Sequence, residues 1–217
     1  MTWLLDFFKT SIGRKQLLAL SGLAMGGFLI THLSGNLLLF ADRDGTLFND
    51  YAAFLTSQWW LIPAEFGLIA VYLLHLALAS VLTLENRLAR PDHYRVKDSS
   101  DASLASRTMI LSGLLTFIFI GIHLLDFKFG DYSGENGLAG LVKRKLASPF
   151  YGTFYIAFLI VLAIHLGHGI QSTFQSFGLN HRSYTPAIKK ICLVLAIGLC
   201  AGFASIPVWL MLTKGGA

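Results

Sequence analysis

Residues 150–174 read FYGTFYIAFLIVLAIHLGHGIQSTF. These twenty-five residues contain no Lys, Arg, Asp or Glu, and as a helix rising 1.5 Å per residue they are long enough to cross a hydrocarbon layer about 30 Å thick. Inside lipid a backbone must satisfy its own N–H and C=O groups, so such a run folds as a helix. His165 and His168 interrupt it, and an ionisable side chain at membrane depth is a functional-site expectation by default.

Four more runs of the same kind lie at 17–40, 61–84, 108–127 and 188–212. Of 217 residues 54% are hydrophobic and 13% charged, whereas a soluble domain spends about a quarter of its residues on charge. The sequence therefore predicts an all-α integral membrane bundle of five transmembrane helices, with 1–217 as one membrane domain. The first span is too long for a signal-peptide core and has no small-residue cleavage site after it, so no cleavable leader is expected. Ahead of it, Trp3, Leu4, Leu5, Phe7 and Phe8, broken by Asp6 and Lys9, suit a short interfacial segment. Pro63, Pro149 and Pro186 stand at span starts, where a missing N–H is harmless. Cys192 and Cys200 lie eight residues apart on one helix, about 12 Å, too far for a disulfide. No internal repeat is expected.

Orientation follows from Lys and Arg. The N-terminal segment, the 85–107 connection and the 175–190 connection hold 11 of them, against 6 on the other side. The positive-inside rule then puts the N-terminus in the cytoplasm and the C-terminus outside. The net charge of +5 reads as this asymmetry and attraction to anionic lipid, since no basic stripe with interleaved aromatics points to nucleic acid.

His32, His75, His123 and His165 place one histidine in each of the first four spans, at separations of 43, 48 and 42 residues. Because successive helices run in opposite directions, His32 and His123 fall towards the outer face and His75 and His165 towards the cytoplasmic face. Two pairs at two depths result, separated by roughly 10 Å along the membrane normal. Facing neutral imidazoles suit a haem iron that transfers electrons and leaves no position open. Without a C-x-x-C-H run the haem would be non-covalent, hence b type. Gly27, Gly35, Gly121, Gly167 and Gly169 near these histidines would let a flat macrocycle approach the backbone. Close helix packing is the competing reading of the glycines, and interhelical hydrogen bonding that of the histidines. His93 and His181 fall in connections and read as solvated surface residues.

The runs FLITHLSGNLLLF, YLLHLALASVLTLENRLARP, RTMILSGLLTFIFIGIHLLDFKF and SPFYGTFYIAFLIVLAIHLGHGIQSTFQSFG together resemble the single-chain, two-haem cytochrome b subunit of bacterial succinate dehydrogenases and fumarate reductases. The resemblance spans nearly the whole chain. It implies a bacterial cytoplasmic-membrane subunit of respiratory complex II, partnered by a flavoprotein and an iron-sulfur protein and passing electrons to a quinone, usually menaquinone. Matching positions make His75 and His165 the ligands of the haem nearer the soluble partners, and His32 and His123 those of the distal haem. His168, three residues beyond His165, then becomes a supporting or propionate-binding residue.

Glu65, near the outer end of the second span, and Asp126, just beyond His123, are the acids placed to exchange protons with a quinone; an interfacial acid with its head in water is the competing reading. Ser21, Arg107, Ser112, Gln171 and Lys189 are candidate propionate donors, Arg107 foremost as a cation at a span start, although it is equally a positive-inside flank. Trp59 and Trp60 read as interface anchors. Quinol–fumarate reduction is the alternative direction of the same chemistry. A histidine-lined proton or metal transporter is the rival class, and it would require a continuous polar path or inverted repeats.

Overall fold

The computed structural model describes residues 2–89 and 108–213, and helix is the only regular structure among them. The order is α1 (Thr2–Lys9), α2 (Ser11–Asn36, continued by a 3-10 turn Leu37–Phe40), α3 (Thr46–Thr56), α4 (Leu61–Leu88), α5 (Met109–His123, continued by a π turn Leu124–Lys128), α6 (Gly137–Ala147), α7 (Pro149–Ser176) and α8 (Thr185–Leu212). Five of these, Ser11–Phe40, Leu61–Leu88, Met109–Lys128, Pro149–Ser176 and Thr185–Leu212, are long and apolar enough to span a membrane.

The spans overrun their apolar runs for local reasons. The first begins at Ser11, not 17, because the Thr10 hydroxyl accepts from Gly13 N at 3.0 Å and caps it. The second continues past 84 to Leu88, and there Glu85 pairs with Arg14 and ties the two helices together. Pro149 and Pro186 lie in the first turns of α7 and α8. Pro207 sits inside α8 without ending it and is fully buried. Both cysteines of α8 are free and buried.

We call the end of the bundle with residues 10–15 the near side and the other end the far side. α2 and α7 are central: α2 packs on α4 and on α7, α5 packs on α7, and α8 lies along α7. The tight core sits on the far side, where Leu39, Phe48, Phe119, Ala139, Val142, Leu146, Tyr155, Ile206 and Leu210 meet. Two short helices that the sequence reading did not foresee, α3 and α6, close that end. α3 starts from Gly45 at φ 79°, a left-handed turn glycine adopts without penalty. The Asp42 carboxylate caps it, accepting from Gly45 N at 2.6 Å and Leu47 N at 2.8 Å. In the far-side turn after α5, the Ser133 hydroxyl and amide donate to Asp131 and hold its carboxyl below the usual carboxylate range. Ile62, Phe66, Leu125, Ile160 and Val194 are exposed, the surface expected where lipid is the solvent.

Candidate functional site

His75 of α4 and His165 of α7 are held in the same way. The Ser21 hydroxyl of α2 lies 3.0 Å from His75 Nδ1, and the Ser112 hydroxyl of α5 lies 3.3 Å from His165 Nδ1. Each serine is followed by a glycine that seats the same ring. A Cβ on Gly22 would come 3.5 Å from His75 Cε1, and one on Gly113 3.2 Å from His165 Cε1. A methyl would sit in ordinary contact with His75 but crowd His165, so the seat is tighter at Gly113. The near level thus holds two Ser–His pairs, Ser21 with His75 and Ser112 with His165, carried on four helices.

This arrangement exposes an internal repeat, contrary to expectation. Leu20-Ser21-Gly22-Leu23 recurs as Leu111-Ser112-Gly113-Leu114, and in each copy a histidine follows the serine by eleven residues, His32 and His123. The serine and that histidine share one helix face, about 16 Å apart along the axis. Eleven residues of one helix therefore separate the serine that touches the near level from the histidine of the far level. Between them Tyr72 of α4 and Phe117 of α5 stack at 6.0 Å with planes 7° apart.

On the far side His32 and His123 face each other directly, with ring centroids 5.8 Å apart and planes at 90°. Aromatic rings enclose them. Phe28 stacks on His32 at 5.2 Å, Phe203 lies 5.7 Å away, and Phe119, Phe127 and Tyr155 surround His123 at 5.4–6.2 Å. Among the described residues the one polar side chain within hydrogen-bond distance of these rings is Asn36, whose amide nitrogen donates to the His32 carbonyl at 2.7 Å and lies 3.4 Å from both His32 ring nitrogens.

Two histidines at each level are the number of ligands a haem asks of the chain, and those of the far pair lie side by side, with ring centroids 5.8 Å apart. Among the described residues no group of three His, Cys, Asp or Glu that could hold a metal ion occurs. Zinc needs at least three protein ligands, whereas a tetrapyrrole fills four positions itself and asks the chain for two.

The two acids are on the far side, as expected, but neither stands free. Glu65 pairs with Lys128 at the surface. Asp126 lies on the π turn, is buried, pairs with Lys145 of α6, and accepts from Tyr155 OH at 2.9 Å and Tyr151 OH at 3.4 Å. Sequence reasoning missed Lys145, which approaches Asp126 because α6 folds back, and Tyr151 and Tyr155, which reach it from the first turns of α7. Ser21 and Ser112, read as propionate donors, are instead engaged with histidines. His168 is half-buried and has no hydrogen-bond partner among the described residues. Arg107 and His93 lie outside the described residues. Gln171, on α7, and Lys189, on α8, lie in the near-side halves of their helices, while Trp59 and Trp60 precede α4 exposed.

Residues 83–204 match the family model of the Succinate dehydrogenase/Fumarate reductase transmembrane subunit. No curated protein and no solved structure matches the chain. The match covers more than half of the chain, which therefore belongs to this family of membrane subunits of an oxidoreductase complex. His123, His165 and Ser112 fall inside it, and His32, His75 and Ser21 outside.

Proposed function

We propose that this succinate dehydrogenase/fumarate reductase transmembrane subunit carries electrons between an iron-sulfur partner, itself coupled to a flavoprotein, and a quinone, through two non-covalent b-type haems. His75 and His165 hold the near one, and His32 and His123 the far one. A haem held by two histidines supplies reversible one-electron transfer with no position left for substrate. The observation that carries the reading is the repeat of Ser-Gly seats and histidines, which gives the half of the chain outside the family match the same donor set as the half inside it. The rival transporter would need a continuous polar path or inverted repeats, whereas the two copies of the Ser–His motif lie on α2 and α5, which run in the same direction.

The chain's own residues supply the rest. The near side, rich in Lys and Arg, faces the cytoplasm of a bacterial cell and receives the soluble partners. The far side handles the quinone, menaquinone being the expected one, with Glu65 as the residue that exchanges protons, since its carboxylate reaches the surface beside Lys128. Asp126 is the second candidate and, being buried against Lys145 and Tyr155, serves first to hold the turn that follows His123.

The function is tested by reconstitution. The two soluble subunits should oxidise succinate with a soluble dye alone, and reduce a menaquinone analogue only when this chain is added. Quinone reduction without the chain, or none with it, would overturn the reading. Two further results are expected. Glu65→Gln keeps both haem spectra and slows quinone turnover, most steeply at the pH where proton uptake limits the rate; full activity across the pH range would transfer the role to Asp126. Gly113→Leu drives a side chain into His165 and lowers haem content, whereas Gly198→Leu, on the exposed face of α8 where a Cβ meets nothing within 4 Å, leaves it unchanged.

A further inference from the structure

The hydroxyls on His75 and His165 have a direction that the heavy-atom positions settle. Ser21 Oγ lies 2.9 Å from the Leu18 carbonyl as well as 3.0 Å from His75 Nδ1, and Ser112 Oγ lies 3.0 Å from the Met109 carbonyl as well as 3.3 Å from His165 Nδ1. A hydroxyl has one hydrogen and a carbonyl oxygen can only accept. Both contacts are hydrogen bonds only if each serine donates to its carbonyl and accepts from the imidazole. The serine oxygen beside each of these ring nitrogens therefore asks for an N–H.

We propose that Ser21 and Ser112 are positioning residues that hold His75 and His165 as Nδ1–H tautomers, presenting Nε2 lone pairs to the near iron and lowering its reduction potential relative to the same site without them. The proposal rests on the haem reading above. A metal-bound imidazole whose second N–H is hydrogen-bonded is a stronger electron donor, and a stronger donor favours the ferric over the ferrous state. The far pair has no such support. The group facing His32 is an amide nitrogen, itself a donor, and His123 is ringed by aromatics with no side-chain hydrogen bond among the described residues. One repeated motif thus makes the near level internally alike and the two levels different from each other.

The test uses the complete complex with Ser21→Ala, Ser112→Ala and the double variant, measured by haem content, optical redox titration and the ferric electron paramagnetic resonance spectrum. His75→Leu, which removes the near haem, identifies its band. Each alanine should retain both haems and shift the near haem's reduction equilibrium towards ferrous by roughly threefold, approaching tenfold in the double variant; tenfold is 59 mV for a one-electron couple. The far haem should not move. Ser→Thr, which keeps a hydroxyl able to bond the same carbonyl, should restore the potential, as a purely packing role would not require. If an alanine variant loses haem, Ser→Cys is measured in its place, since a thiol keeps the size but accepts poorly. Haem retained with an unshifted near potential, equal shifts in both haems, or failure of threonine to rescue would each overturn the proposal. An unaltered complex with no near haem would instead overturn the haem reading itself.

Discussion

Replacing His75 with Leu is expected to leave one haem per chain in place of two and to cut succinate-driven quinone reduction by at least about 100-fold, because loss of a mere supporting hydrogen bond at a metal site already costs roughly 10–100-fold. Succinate oxidation with a soluble dye should persist, since no dicarboxylate chemistry is assigned to this chain. His75 holds its place through Ser21 and the Gly22 seat on α2, and leucine fills the volume without offering a lone pair. The paired measurement is haem content and the two activities on one preparation. Quinone reduction surviving near its original rate would show that electrons bypass the near level.

The second large effect lies on the far side. Lys145→Met removes the cation from Asp126, whose side chain is only 8% exposed against 31% for that of Lys145. Stranding a buried charge in this way costs about 3–5 kcal/mol. Tyr155 and Tyr151 still donate to the carboxylate, which puts the loss at the lower end of that range. Asp126→Ala should cost less, because the lysine left behind extends its head to solvent along an apolar stem. Denaturation of the detergent-solubilised protein orders the two variants. Equal stability, or the reverse order, would contradict the assignment of Asp126 and Lys145 as a structural pair. The same ordering bears on Asp126 as a proton carrier, since a carboxylate locked by one cation and two phenols is a poor exchanger.

The five spans were legible because each is a local property. An uninterrupted apolar run predicts a lipid-crossing helix wherever its neighbours lie, and alternating helix direction then sorts four histidines into two levels. α3 and α6 were not legible. Their apolar faces acquire meaning only against α8 and the far-side core, where Phe48, Ala139 and Leu146 are buried. Asp126 shows the same limit: its position beyond His123 could be read, but Lys145, nineteen residues on, becomes its partner only when α6 turns back.

Ser21 and Ser112 are a different case, since the signal was present. Leu-Ser-Gly-Leu occurs twice, each copy eleven residues before a histidine. A search for repeats of whole helices passes over a motif of four residues, and serine in an apolar helix most often bonds its own backbone. Here it does so and accepts a histidine as well, a pairing across 54 residues that sequence distance conceals.

If four histidines on four helices hold two haems, quantifying non-covalent haem against protein in the purified chain with its partners gives two b-type haems per polypeptide, both six-coordinate in the oxidised and reduced spectra. A ratio near one, or a protein without haem, would contradict it.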